Sequence, residues 1–309
     1  MRVVFLGSGA FAIPSFEALL GGGHDVAALV TQPDREKGRG RIVAPPPLKP
    51  VAQARGVPVL QPRRVRDADA LETLRMLRPD VQVVVAYGQV LPRAVIQLPR
   101  LGTVNVHASL LPRYRGAAPV AWAIAHGEAE TGVTTMLVDE GLDTGPVLLR
   151  RATAIAADET AADLAPRLAL LGAELLLETL AGLEDGSVRP TPQEPGQATL
   201  APMLKKEDGR LDWTQPAVVL ERRVRAFNPW PGAFTTWNGV RLGVWRAREV
   251  EAPAAAPGQL LSRVGDALLV ACGGGTTLAL LQVQPEGRKR MSGSAFAMGA
   301  RPDPGARFG

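Results

Sequence analysis

Residues 105–116, Asn105-Val-His-Ala-Ser-Leu-Leu-Pro-Arg-Tyr-Arg-Gly116, govern how the rest of the chain is read. The approach to them, Gly102-Thr-Val-Asn-Val-His107, alternates as a short strand does. Asn105 and His107 are two apart, so on a strand they share a face. Pro112 then ends the strand, because it has no N–H for a ladder. An amide and an imidazole at the C-terminal end of a strand lie where open α/β sheets bind ligands. Neither is a strong nucleophile there, and both suit an oxygen that gains negative charge. The same residues, taken alone, also describe a polar strand end in solvent beside a satisfied core histidine.

Working outward, strands are predicted at 2–6, 25–30, 57–60, 81–86 and 103–107, with helices around 14–20, 49–55, 67–77 and 92–97. This alternation predicts a Rossmann-like, largely parallel sheet. Residues 118–126 read as a further helix. Residues 133–138 and 146–153 read as paired strands flanking a loop that holds Asp143. A long helix over 160–180 follows, with Thr160 as its cap. The stretch 183–201 is rich in Pro, Gly, Gln and Thr, lacks apolar periodicity and reads as a linker. After a helix over 220–227, five short strands at 233–237, 241–247, 258–264, 267–272 and 277–283 suit a small OB-fold-like β-barrel. The expected division is 1–183, a linker over 184–207, and 208–309.

The first turn, Gly7-Ser-Gly-Ala-Phe-Ala12, nominally fits the dinucleotide pattern. The next strand, however, ends in Thr31-Gln32, with no carboxylate to hold a ribose. A structural use of the turn, or one in substrate approach, is preferred over a nicotinamide site.

Composition narrows the class. The chain has 309 residues, 46% hydrophobic and 21% charged, as soluble two-domain proteins do. One cysteine, Cys272, excludes a disulfide framework within the chain and a Cys-rich zinc site. Three scattered histidines offer no obvious metal site. The chain enters a strand at once, without a secretory pattern, and the apolar run at 81–86 is too short to span a bilayer. A cytoplasmic monomer with no membrane association is expected. The net charge of +5 is uneven: from residue 209 about 13 basic residues face about 7 acidic ones, leaving the first 208 near −1. A near-neutral first domain with a basic second suggests a small-molecule site joined to a polyanion-binding module. A merely solubilising surface would look the same.

The run Asn105-Val-His107-Ala-Ser-Leu-Leu-Pro-Arg-Tyr-Arg-Gly-Ala-Ala-Pro119 resembles the signature of the 10-formyltetrahydrofolate-dependent formyltransferases. Gln32-Pro-Asp-Arg35, Val83-Val-Val-Ala-Tyr-Gly88, Asp139-Glu-Gly-Leu-Asp143-Thr-Gly145 and Ala226-Phe-Asn-Pro-Trp-Pro231 lie in matching order. The last block narrows the likeness to the branch of that family whose acceptor is methionine carried by initiator tRNA. Departures are Tyr114 where Trp is usual, Ala108 where Gly is common, the Gly7-Ser-Gly turn, and Leu200 and Met203 where Tyr and Lys are common. None removes a catalytic side chain.

The resemblance implies formyl transfer from 10-formyltetrahydrofolate to the α-amine of methionyl initiator tRNA, with no metal. Such a reaction needs a donor to a developing oxyanion, proton management and tight positioning. Asn105 can donate through its amide, and His107 can donate or shuttle a proton. Asp143 can orient that imidazole or hold a relaying water. Asp-Thr-Gly at 143–145 also reads as a plain solvated turn, and Asp139 and Glu140 as structural or solvated.

For the folate, the resemblance implicates the turn Ser109, Leu110, Leu111 and Pro112, together with Val85, Gly88 and Leu91. The long Gly/Pro/Arg-rich loop at 32–47 carries Arg35, Lys37, Arg39 and Arg41, and the resemblance makes it the probe of the acceptor stem. Arg222, Arg223, Arg225 and Arg288, Lys289 and Arg290 are expected on phosphates. The rivals are formyl transfer to an amino sugar nucleotide or to a glycinamide ribonucleotide, the latter having no need of the basic second domain, and an NAD-dependent dehydrogenase or nucleic-acid-binding module built on the Gly7 turn, which leaves Asn105, His107 and Asp143 unexplained.

Overall fold

A computed structural model describes residues 1–37, 42–303 and 305–309. Arg39 and Arg41 lie outside the described residues. The first half of the chain runs β1 (Arg2–Gly7), α1 (Ile13–Gly21), β2 (Asp25–Val30), β3 (Arg35–Lys37), β4 (Ile42–Ala44), α2 (Leu48–Ala54), β5 (Val59–Leu60), α3 (Ala68–Met76), β6 (Val81–Val85), α4 (Arg93–Ile96) and β7 (Thr103–His107). Next come α5 (Pro119–Ala125), β8 (Glu130–Leu137), β9 (Val147–Ala154) and α6 (Ala161–Asp185). The remainder is α7 (Ala217–Ala226), β10 (Phe234–Trp237), β11 (Val240–Val250), β12 (Leu260–Val264), β13 (Ala267–Ala271), β14 (Thr277–Pro285), β15 (Met291–Ser292) and α8 (Gly293–Ala300).

Two compact units divide these elements. The first holds Met1–Gly116, Glu130–Ala154 and Ala165–Ala201; the second holds Ala117–Ala129, Ile155–Leu164 and Pro202–Gly309. Residues through Ala201 thus pack with the first unit, although their composition reads as a linker.

The first unit is built on a seven-stranded sheet of order β5-β2-β1-β6-β7-β8-β9. Pairing is parallel from β5 to β7 and antiparallel at β7–β8 and β8–β9. The sheet is therefore Rossmann-like and largely parallel. Its order reverses at β1, where the chain leaves first toward β2 and later returns on the other side as β6, and the C-terminal ends of strands flanking such a reversal form the usual crevice. Val3, Val4, Phe5 and Leu6 of β1 are buried without residue, as a strand covered on both faces requires. Phe5 meets Phe16 of α1 edge to face, 5.4 Å between centroids.

The turn after β1 is used structurally. Ser8 Oγ donates to the Tyr87 carbonyl and accepts from Thr31 Oγ1 and the Gln32 N–H. One hydroxyl thereby ties together the tips of β1, β2 and β6. The 32–47 stretch is not wholly loop, because β3 and β4 pair antiparallel in it, Arg35 opposite Ala44 and Lys37 opposite Ile42. Its Gly, Pro and Arg content hid two three-residue strands too short to show a period.

The second unit is an antiparallel, OB-like half-barrel. Its order is β10-β11-β14-β13-β12, with β15 on β14. Leu220 and Val224 of α7 join Leu242, Val244, Val270, Leu278 and Leu280 in one core. Helix α8, which lies outside the predicted elements, adds Phe296 and Ala297 to it. Its start is capped by Ser292, whose Oγ accepts from the Ala295 N–H at 3.1 Å. A stretch as small-residue-rich as Gly293-Ser-Ala-Phe-Ala-Met-Gly-Ala300 carries little apolar periodicity to reveal a helix.

Helix α6 continues through Pro166. At its start Asp163 accepts from both the N–H and the hydroxyl of Thr160, half of a capping box. These contacts hold the Asp163 carboxyl below the usual carboxylate range, with the hydroxyl as the main cause.

Candidate active site

Strand β7 delivers Asn105 and His107 to one place. Asn105 Nδ2 lies 3.5 Å from Asp143 Oδ1, and His107 Nδ1 lies 3.7 Å from Asp143 Oδ2. The two-residue period of the strand thus brings both side chains to a single carboxylate. His107 is 6% exposed.

Its other ring nitrogen, Nε2, is 2.9 Å from the carbonyl oxygen of Tyr114. A carbonyl only accepts, so Nε2 carries a proton. Nδ1, facing Asp143, is therefore the nitrogen left to gain or lose one. A carboxylate there steadies the ring when it is an imidazolium, the role an orienting aspartate plays.

Asp143 sits in the loop between β8 and β9. The loop is shaped from within. Asp139 accepts from the Thr144 hydroxyl at 2.7 Å and from the Gly141 N–H at 3.0 Å, so its role is structural. Gly145 passes so close to the Leu137 carbonyl that a Cβ there would collide with it. Asp143 itself is left-handed, φ 52°, a conformation that Asp tolerates better than most residues. Its carboxylate accepts the N–H of Gly116 at 2.8 Å. A hydrogen bond to a charged group of this kind contributes about 1.5–3 kcal/mol.

The segment after the Ser-Leu-Leu-Pro turn is also constrained. Tyr114 has φ 61° and Gly116 φ 121°. A Cβ on Gly116 would stand 2.6 Å from the Ala201 carbonyl, so glycine is needed there on two counts. Tyr114 donates its N–H to Thr199 Oγ1, and Arg115 exchanges backbone bonds with Thr199 and Ala201.

The predicted folate residues divide by burial. Ser109, Leu111 and Pro112 form a buried turn. Ser109 Oγ donates to the Arg113 carbonyl. Thr134 Oγ1 donates to the Ser109 carbonyl and accepts the Leu111 N–H, fastening the turn to β8. Leu111 packs with Met136 and Val147, and burying such a side chain contributes about 1.5–3 kcal/mol. Leu110 is half-buried. Val85 and Leu91 are buried; Leu91 belongs to a core cluster with Tyr87, Val95 and Ile96. In that turn it is Ala86, Gly88 and Val90 that face out, Val90 at 90% exposure. Burial pushes the Tyr87 phenol up to about 12, and its hydroxyl has no hydrogen-bond partner among the described residues. A cavity of about 960 Å³ adjoins the outer edge of the Asp143 loop, bordered by Arg93, Thr103, Asp139 and Glu140, but it does not include Asn105, His107 or Asp143.

Of the basic residues assigned to nucleic acid, Arg35 donates to Gln32 Oε1 at 2.9 Å, and Gln32 Nε2 in turn donates to the Tyr87 carbonyl. Arg222 and Arg223 are half-buried on α7. Arg222 packs over Gly127, and Arg223 donates to the Asp208 carbonyl and covers the Phe227 ring. Arg225 pairs with Glu221 at 2.6 Å. Arg288, Lys289 and Arg290 are exposed between β14 and β15, with Arg290 stacked 3.5 Å over Trp245. Among the described residues no group of three or more His, Cys, Asp or Glu could hold a metal ion, and no helix is long and apolar enough to cross a membrane.

The site also uses residues the sequence reading passed over, namely Thr134, Gly116, Thr199 and Gln193. The last is 8% exposed and reaches both the Asp143 loop and Arg115. No motif marks it, since its partners lie far away in sequence.

Residues 1–180 match the formyl transferase family, and residues 203–301 match its C-terminal domain. The chain belongs to the formyl transferase family. It is 54% identical to a methionyl-tRNA formyltransferase of Solibacter usitatus over 97% of this chain and 96% of the relative. It is 53% identical to one of Myxococcus xanthus over 99% and 97%. In fold it is similar to the crystal structure of WlaRD, a sugar 3N-formyl transferase solved in the presence of dTDP and 5-N-formyl-THF. That likeness has a TM-score of 0.68 at 14% identity and covers 94% of this chain and 99% of the other.

Proposed function

We propose that this protein transfers the formyl group of 10-formyltetrahydrofolate to the α-amino group of methionine on initiator tRNA, for translation initiation. The observation that carries the chemistry is the convergence of Asn105 and His107 on the Asp143 carboxylate. The acceptor is argued from relatives above 50% identity over nearly the whole chain.

In this reading the amine attacks the formyl carbon, and negative charge develops on the formyl oxygen. Asn105 Nδ2 donates to it, joined by His107 Nδ1 once that nitrogen has taken the amine's proton. The attacking nitrogen sheds a proton and the departing N10 gains one. His107 Nδ1, backed by Asp143, is the group that moves it. Asp143 is spoken for by the Gly116 N–H on one side of the same oxygen that faces His107, which holds the carboxylate still while the proton moves. No covalent enzyme intermediate is required. The folate is read against Ser109, Leu110, Leu111 and Pro112 and the turn holding Val85, Gly88 and Leu91. There the exposed backbone of Gly88 and the face of Val90 offer the approach, rather than the buried side chains of Val85 and Leu91.

The same reading gives residues 1–183 the chemistry, 184–207 the connection and 208–309 the tRNA body. Arg35, Arg39 and Arg41 probe the acceptor stem, and Arg222, Arg223, Arg288, Lys289 and Arg290 serve phosphates. The protein is read as a cytoplasmic monomer, which light scattering at micromolar concentration tests. The activity is tested by offering 10-formyltetrahydrofolate with charged initiator tRNA, glycinamide ribonucleotide or an amino sugar nucleotide in parallel. Formylation of the tRNA alone is expected. Preferential formylation of either small acceptor overturns the assignment.

A further inference from the structure

We propose that Gln193 and Arg115 form a brace that positions the Asp143 carboxylate for His107 and Asn105. The proposal rests on the reading of Asp143 as the partner of the catalytic histidine. Gln193 Nε2 donates to the Asp143 carbonyl at 2.8 Å and to the Gly145 carbonyl at 2.7 Å. Its Oε1 accepts from Arg115 Nε at 3.1 Å and from an Arg115 terminal nitrogen at 2.8 Å. Both amide hydrogens and both lone pairs of one buried side chain are thus engaged. The amide's orientation follows from its partners: carbonyls only accept and a guanidinium only donates, so the group cannot be turned over without losing all four contacts.

What the brace joins matters. On one side is the backbone of Asp143 itself, in the left-handed region. On the other is Arg115, whose two neighbours both serve the site. Tyr114 offers its carbonyl to His107 Nε2, and Gly116 gives its N–H to Asp143 Oδ2. Gln193 therefore closes a ring of contacts: Asp143 to Gly116, Gly116 to Arg115 along the chain, Arg115 to Gln193, and Gln193 back to Asp143. Both loops hold conformations that only surrounding contacts can maintain. Loss of the brace frees the Asp143 loop to shift relative to the imidazole, and displacements of about 1 Å at such a site reduce turnover strongly.

The chemistry gives a sharp test. Gln193→Glu keeps acceptors for Arg115 but has no hydrogen for the two carbonyls, whereas Gln193→Met keeps the length and loses everything. Arg115→Lys removes the forked donor, which a lysine cannot reproduce. In the full-length protein, kcat, the KM for each substrate, the pH–rate profile and the unfolding midpoint are measured for each variant, with Asp143→Asn in parallel. Both Gln193 variants are expected to lower kcat by about 10–100-fold while each KM stays within about threefold. They should alter the pH–rate profile in the sense that Asp143→Asn does. The ring resonances of His107, one of three histidines, should move in both Gln193 variants without substrate present.

Unchanged kcat, pH profile and His107 resonances in Gln193→Glu overturn the brace. So does a loss of kcat that tracks only a lowered unfolding midpoint, with the pH profile intact. Should both Gln193 variants fail to fold, Arg115→Lys is read by the same criteria. Normal turnover in Asp143→Asn instead removes Asp143 from the site, a different failure from that of the brace.

Discussion

The two units place their polar side chains in opposite ways. In the first, Asn105 bonds to the Asp143 carboxylate, His107 stands 3.7 Å from it, Gln193 bonds to the Asp143 carbonyl, and His107 and Gln193 are nearly inaccessible. In the second, the charge is on the outside: Arg288, Lys289 and Arg290 stand exposed, and arginines that are half-buried, such as Arg223 and Arg225, already have protein partners. Chemistry needs fixed geometry, which burial and satisfied hydrogen bonds supply. Affinity for a polyanion needs only accessible charge within reach. The inward set should therefore respond steeply to single atoms and hardly to salt, and the outward set the reverse.

The largest effect is expected inside. His107→Ala and Asn105→Ala should each lower turnover by about 10²–10⁴-fold, while folate affinity stays within roughly tenfold, about 1.4 kcal/mol. Stopped-turnover assays with saturating substrates check this. Near-normal turnover in either variant breaks the inward half of the comparison. Next in size is the outward half. Neutralising Arg288, Lys289 and Arg290 together should weaken initiator and elongator tRNA alike and lower the salt slope of binding by about 1 per lost phosphate contact. A slope unchanged across a salt series would mean that this exposed cluster does not meet phosphates.

A smaller effect concerns selectivity. Arg39→Ala should narrow the preference for initiator over a tightly paired tRNA by roughly tenfold, about 1.4 kcal/mol. Competition between the two tRNAs measures it. An intact ratio there, with the ratio lost in the 288–290 variant, would reverse the two roles.

The smallest effect treats the units alike, since burial raises a weak acid in each. Burial pushes both the Tyr87 phenol and the Cys272 thiol up to about 12. The unfolded chain loses these protons first, from near 10.0 for the phenol and 9.0 for the thiol. Stability from both groups is thus whole well below pH 9, begins to fall near pH 9 through the thiol and falls further as pH rises toward 12. Urea midpoints at pH 7, 9 and 10.5 should fall in that order. Cys272, 1% exposed, should also resist a thiol reagent at pH 8 until the protein unfolds. Rapid labelling of the native protein would show that the core of the second unit opens readily.

Much of the architecture was legible because it rests on short-range pattern. The apolar runs at β1, β6 and β13, the alternation through β7 and the turn signals between strands each lie within a few residues of one another. The pairing of β8 with β9 around Asp143 followed from two neighbouring strand signals. Where the local pattern is weak, legibility failed. The three-residue strands β3 and β4 are too short to show a period, and α8 is made of small residues that mark no apolar face. The stretch after α6 has a linker's composition, yet residues through Ala201 pack with the first unit, because Gln193, Thr199 and Ala201 find their partners there.

The sequence by itself determined which residues share the face of β7, since a period of two leaves no choice, and it determined that Asp143 lies on a loop between strands. It could not determine that Asp143 meets them, which nitrogen of His107 holds the proton, or that Gln193 braces the site. Those depend on a Tyr114 carbonyl turned by a left-handed backbone and on contacts spanning 50 and 78 residues of chain. Partners so distant have no periodic signature. Only the folded sheet, by setting β7 beside β8 and the 193–201 segment beside the 114–116 turn, decides which donors and acceptors meet.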